Sequence, residues 1–154
     1  MSSIDKVREF HEAFGVAVAP TPTPSTADIR ELRVRLIAEE LVELCQALGV
    51  GLRISHNPTE SIFEAWSYGT DADVDLVETA DALGDLDYVV QGANLVFGIP
   101  AVAVMDEIHR SNMSKLGDDG RPVLRPDGKI TKGPKYTPPD IARVLHAIDS
   151  RWHP

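Results

Sequence analysis

Long apolar runs, a second cysteine and an excess of positive charge are all missing from this chain. No stretch approaches the roughly 18 consecutive apolar residues of a membrane span, and the opening MSSIDKVREFHEAF lacks the apolar core of a secretory leader. These absences predict a cytoplasmic protein with no membrane partner. Cys45 stands alone, so no internal disulfide can form, as suits a reducing compartment. Lys plus Arg number 15 against 24 Asp plus Glu, giving a net charge of -9. That balance lacks the electrostatic footprint of a protein that grips a nucleic-acid polymer. Neither a Walker A loop nor a GxGxxG turn occurs, so no helix N-terminus is marked as a phosphate cradle. Aromatics are only 6% of the chain, and the apolar segments are rich in Leu, Val and Ala, which favours packed helices.

The 154 residues predict one domain, 1–154, without internal repeats. Ile4, Val7, Phe10 and Phe14 recur at helical spacing and predict an amphipathic helix over 4–18. The alternating prolines of APTPTPST end it. Thr26 or Asp28 can cap a second helix, about 28–49, with Leu32, Leu36, Ala47 and Leu48 on its apolar side and Gly49 and Gly51 at its end. Residues 51–72 read as irregular, anchored by Phe63 and Trp66, with a short helix over 59–67 as one option. Asp71 or Asp73 can cap a third helix running to about Phe97, which Gly98 and Pro100 stop. A fourth helix is expected over about 100–114, a small hairpin at VLRPDGKI with its turn at Pro-Asp-Gly, and a last short helix after Pro139. The expected fold is therefore all-α, a bundle of four to five helices with a small β-hairpin or loop near the C-terminus.

The third helix contains an oddity, VETADALGDLDYVV. Asp is a poor helix former away from the first turn, and a buried carboxylate is costly unless paired. Glu78, Asp81, Asp85 and Tyr88 fall on one face, on a helix apolar enough on its other sides to predict burial. Gly84 leaves room beside Asp81 and Asp85, while Asp87 lies off the stripe. The second helix carries Glu40 and Glu43 at i, i+3, with Glu39 one turn before Glu43. Two helices presenting paired carboxylates repel each other or demand a counter-ion. With oxygen donors and no His or Cys cluster, that ion is expected to be Mg²⁺, with Mn²⁺ as a substitute. The plainer alternative makes Glu39, Glu40 and Glu43 a solvated face paired with Arg33 and Arg35, and Glu78 a first-turn acid favoured by the helix dipole.

The segment HRSNMSKLGDDGRPVLRPDGKITKGPKY concentrates cations: Arg110, Lys115, Arg121, Arg125, Lys129, Lys132 and Lys135. With Ser111, Asn112 and Ser114 it suits a phosphate clamp, in which Asn112, Lys115, Lys132 and Lys135 are the candidate contacts. Otherwise it is a cationic helix end followed by a loop.

EELVEL, then ADALGDLDYVVQGANLVFGIP, then EIHRSNMSKLGDDGRPVLRPDGKITKGPKYTPPDI together resemble the all-α nucleoside triphosphate pyrophosphohydrolases. These are the MazG-like proteins, in the branch that is phosphoribosyl-ATP pyrophosphohydrolase-like or dimeric-dUTPase-like. The resemblance runs from about residue 30 to 141. It implies Mg²⁺-dependent hydrolysis between the α- and β-phosphates of a nucleoside triphosphate, dUTP or a non-standard nucleotide among the options. It implies metal ligands at Glu40, Glu43, Asp81 and Asp85, with Glu78 an alternative partner for Asp81, and Glu39 as general base. Tyr88 is then placed to touch the nucleotide or a ligand carboxylate, and a homodimer or homotetramer is expected. Asp87 stands where the family has an apolar residue, and the 51–72 connector is longer than usual. The alternative function is a non-catalytic nucleotide-binding or regulatory module on the same fold.

Overall fold

In chain order the elements are α1 (Ser3–Phe14), α2 (Ala27–Ala47), β1 (Val50–Asn57), β2 (Glu60–Ser67), a 3-10 turn (Asp71–Asp73), α3 (Leu76–Phe97), α4 (Ala101–Met113) and α5 (Ile141–Ile148). They come from a computed structural model that describes residues 1–57, 59–125 and 128–148. The chain divides into two units, Met1–Ala17 with Pro24–Leu95, and Val18–Thr23 with Val96–Pro154. Helix dominates, as expected. Among the described residues the one sheet, however, joins α2 to α3 and does not lie near the C-terminus. Among the described residues no single helix is long and apolar enough to cross a membrane.

In the first unit, α1 starts where Ser2 donates from its backbone N–H and its hydroxyl to Asp5 (2.9 and 2.7 Å), a capping box. It ends at Gly15, whose φ of 69° reverses the chain. Its buried face is Val7 and His11, spaced i, i+4. The expected Phe10 and Phe14 stripe is not buried: Phe14 is 72% exposed, its ring stacked on Phe10. The imidazole of His11 has displaced it, settled through a 3.2 Å contact of Nδ1 with the Ala17 carbonyl.

The segment expected to be irregular, or helical over 59–67, is an antiparallel hairpin with Val50 opposite Ser67 and Asn57 opposite Glu60. The signal was present but obscured by glycine. Gly51 reads as a helix stop, yet it lies in β1 opposite Trp66. A Cβ there would run into the Trp66 indole, so the missing side chain is the seat of that ring. Arg53 and Glu64 face each other in the ladder and pair at 2.6 Å. At the tip, the Asn57 carboxamide accepts from the backbone N–H groups of Thr59 and Glu60, each at 2.9 Å.

Asp75, rather than Asp71 or Asp73, serves the start of α3, accepting from the N–H groups of Val77 and Glu78 at 2.9 and 3.1 Å. Asp73 is spent on the preceding turn, where Thr70 donates to it twice. The expected burial of α3 fails in the single chain. Leu76, Val77 and Leu83 are 74%, 76% and 51% exposed, while Ala82 and Leu95 are buried. The apolar residues run round the helix, and the neighbouring elements of one chain cover only part of that circumference.

In the second unit, Gly98 (φ 64°) ends α3 against the Thr21 carbonyl, leaving no space for a Cβ. The most buried acid is Glu107 on α4, 5% exposed. Arg110 grips it with two 2.8 Å hydrogen bonds, the Asp140 N–H donates at 2.7 Å, and Arg143 of α5 adds a third cationic contact at 3.2 Å. Arg110 also donates to Thr137 and Pro138, and Ser111 and Ser114 bond the Thr137 backbone. These three residues, expected in a phosphate clamp, instead hold the segment before α5 onto α4. The expected C-terminal hairpin is reduced to isolated bridges, Leu116 with Pro122 and Leu124 with Ile130. Its proposed turn at Pro126 and Asp127 lies outside the described residues.

The Arg110 guanidinium, followed by the Asp140 N–H, holds the Glu107 carboxyl down at about 2, against an ordinary value of 4.5. A depressed carboxylate contributes stability that is full above its unfolded pKa and is lost as pH falls through its folded one. The melting-temperature gap between the wild type and Glu107→Gln should therefore be constant above pH 4.5 and shrink between 4.5 and about 2. Thermal melts across that range check it; a gap independent of pH would contradict the assignment.

Candidate functional site

The acids singled out in the sequence all belong to the first unit. On α2, Glu40 is half-buried while Glu39 and Glu43 are exposed. On α3, Glu78, Asp81 and Asp85 are exposed. Burial raises the pKa of Glu40, and the charges of Glu43, Asp85, Glu39 and Asp81 raise it further, in that order. Acids of both helices thus lie within electrostatic reach of Glu40. Glu78 is not among the groups that act on Glu40.

Glu78 appears instead in a cleft of about 380 Å³ lined by Glu43, Gln46 and Ala47 of α2, Asp73 and Asp75 of the turn, and Glu78, Asp81 and Ala82 of α3. Glu43 and Asp81 thus belong both to this cleft and to the field around Glu40. Glu78 lines the cleft, whereas Asp85 is among the groups that act on Glu40. Glu39 lines a separate, more open depression of about 410 Å³ with Arg35, Ala38, Val42, Glu43 and Gln46.

The donor set fits a hard divalent cation in kind, being all oxygen and mutually repulsive. Proximity is another matter. Among the described residues no three His, Cys, Asp or Glu side chains stand close enough to hold one ion. Nothing packs within 4 Å of the position of a Gly84 Cβ, so the space expected there is open. Asp87, unexplained in the sequence, accepts a 2.9 Å hydrogen bond from Gln91 one turn on. Tyr88 presents its ring edge-on to Phe10, with centroids 5.8 Å apart.

The remaining polar candidates belong to the second unit. Lys115 donates to the Asn112 carboxamide at 2.8 Å, Lys135 pairs with Asp118 at 2.8 Å, and Lys132 sits 4.5 Å from the centre of the Tyr136 ring. Each has a local partner within its own segment.

Sequence reasoning missed Asp73, Asp75 and Gln46 as cleft residues. Asp75 carried a usable signal, since it stands three residues before Glu78 at the start of an apolar run. It also missed the surroundings of Gly92. A Cβ at Gly92 would lie 3.2 Å from both Arg33 Nη1 and His11 Nε2. Burial lowers the pKa of His11, with Arg33 and Arg8 adding to the effect after the Ala17 carbonyl opposes it. Arg33 Nε is buried without a hydrogen-bond partner. This is the far end of the stripe that bears Glu40, two turns away, so Arg33 is not spent on Glu40 as the plainer alternative had it.

A carboxylate with a raised folded-state pKa opposes folding while it is ionised, and the cost vanishes as pH falls through that value. Glu40→Gln should therefore raise the melting temperature at pH 7 in chelator-treated buffer, as the cost of burying the charge and of its like-charged neighbours is relieved. The gain should disappear in acid. Differential scanning calorimetry of the pair decides it; a loss of stability at neutral pH would contradict the placement of Glu40 among its like charges.

Comparison with curated proteins finds no match. The family described as phosphoribosyl-ATP pyrophosphohydrolase matches residues 7–112, more than half of the chain and the candidate acids of α2 and α3. The sequence resemblance and this match agree, and they carry with them a pyrophosphohydrolase-type activity on nucleotides: the chain belongs to the phosphoribosyl-ATP pyrophosphohydrolase family.

Proposed function

We propose that this protein hydrolyses the bridge between the α- and β-phosphates of a nucleoside triphosphate, releasing a monophosphate and pyrophosphate with the help of Mg²⁺. The observation that carries this reading is a cleft walled by acids of α2 and α3, Glu43, Glu78 and Asp81 among them, with the charges of both helices acting on Glu40. A polyphosphate is itself anionic, so such a wall can face it only with cations between them. Glu40, Glu43, Asp81 and Asp85 are the proposed ligands, with Glu78 on the cleft side; they stand apart in this structure and would have to draw together around the ion. When bound, Mg²⁺ neutralises the polyphosphate, orients it and lowers the pKa of the attacking water. Glu39, adjacent to a proposed ligand and open to solvent, accepts the proton of that water. Asn112, Lys115, Lys132 and Lys135 are assigned to phosphate contacts and Tyr88 to the nucleotide. The preferred substrate is dUTP or a non-standard nucleotide.

The same reading includes a homodimer or homotetramer. Val34 and Val42 on α2 are 69% and 51% exposed, and Leu76, Val77 and Leu83 on α3 are exposed as well. Apolar surface on that scale along two helices is what a second copy would bury. Sedimentation should show more than a monomer, and Leu83→Glu should shift the distribution toward monomer. A monomeric wild type at micromolar concentration would remove the oligomer from the account.

A panel of nucleoside triphosphates with Mg²⁺ or Mn²⁺, scored for pyrophosphate against orthophosphate, tests the reaction. Pyrophosphate is the expected product. Glu43→Gln and Asp81→Asn should each lower turnover by about 100-fold or more, at or beyond the loss that follows from disturbing only a ligand's support. Orthophosphate as sole product, or full activity in both variants, would overturn the reaction or the ligand assignment. The rival, a non-catalytic nucleotide-binding module, predicts binding with no release of either product.

A further inference from the structure

We infer that the β1–β2 hairpin is the nucleobase platform of this site, with Trp66 as the residue on which the base stacks. This rests on the cleft being a nucleotide site. The hairpin leaves α2 and returns to α3, the two helices that carry the acids. Its base is tied to the cleft through backbone hydrogen bonds. The Tyr68 N–H donates to the Gly49 carbonyl and the Asp75 N–H to the Ala47 carbonyl, each at 3.0 Å. Ala47 and Asp75 both line the cleft. Gly69, next to Tyr68, approaches Asp73, a third lining residue, so closely that a Cβ would lie 3.3 Å from its carboxylate.

Trp66 stands two residues beyond Tyr68, about 7 Å of extended strand, close to the span of a ribose between a phosphate and its base. Its indole lies on Gly51, which has no Cβ to lift it, and the residue is nevertheless 52% exposed. One side of the ring is therefore seated on backbone and the other is offered outward. The exposed side of the ring offers a flat apolar surface on which a second ring can stack. A nucleobase suits it, since each base has a π-face and no charge to desolvate. The same face of the hairpin carries the Arg53–Glu64 pair, one ladder step along, with both side chains about half exposed or more. A guanidinium donor and a carboxylate acceptor there can meet the polar edge of a stacked base. Phe63 projects from the opposite face, because residues 63 and 66 differ by an odd number in the strand.

The test uses the full chain carrying Trp152→Phe, which leaves Trp66 as its sole tryptophan. Titration with nucleoside monophosphates should quench Trp66 emission saturably, and ribose 5-phosphate should not. In steady-state assays Trp66→Ala should raise KM about tenfold, the scale of one lost base–aromatic stack, with kcat changed by less than about threefold. Trp66→Phe should restore most of the affinity, and Phe63→Ala should leave both constants as in the wild type. Circular dichroism melts report whether the alanine variant folds, and the phenylalanine variant and the quench do not depend on it. An unchanged KM in folded Trp66→Ala, or equal quenching by ribose 5-phosphate, would overturn the platform. If no nucleotide yields pyrophosphate, the hydrolase reading fails; the quench, which needs no turnover, still decides whether bases stack on Trp66.

Discussion

The mutual electrostatic reach of the carboxylates on α2 and α3 is the interaction on which the proposed site depends. Glu40 carries the mark of it in a raised pKa, produced by burial and by Glu43, Asp85, Glu39 and Asp81. Like charges within reach of one another cost free energy unless something positive lies between them. The arrangement makes sense when the acids serve something positive. Small residues accompany them: Ala47 and Ala82 are buried where the helices are flanked by acids, so the cleft keeps its width. Further along the same face of α2, Arg33 and His11 meet over Gly92, and the stripe changes from acidic to basic.

The second unit solves a different problem. Its segment before α5 is rich in Gly and Pro, and among the described residues its pairing is limited to two isolated bridges. It is held by side chains of α4 instead. Glu107 is the hub, satisfied by two guanidinium groups and one backbone N–H. Arg110, Ser111 and Ser114 read in the sequence as a cationic, hydroxyl-bearing helix end, and in the fold they are fasteners.

The helices were legible because their signals are local. Capping residues, Gly at the C-terminal ends and apolar spacing placed α1, α2, α4 and α5 close to their observed positions. The acid stripes were legible for the same reason, since i, i+3 and i+7 on a helix share a face whatever surrounds it. The hairpin was not, because its decisive fact is a cross-strand one: Gly51 is needed only once Trp66 is known to lie over it. The burial of α3 was misjudged because its apolar residues fix an affinity for cover without naming the cover. Glu107 escaped notice because its partners Asp140 and Arg143 stand 33 and 36 residues away in the chain.

The central claim is that the acids of α2 and α3 form one divalent-cation site, and Mn²⁺ titration followed by electron paramagnetic resonance tests it most directly. The account predicts saturable binding by the wild type, competition by Mg²⁺, and marked weakening in Glu43→Gln and in Asp81→Asn alike. Binding that is absent from the wild type, or unaffected by either substitution, would contradict it.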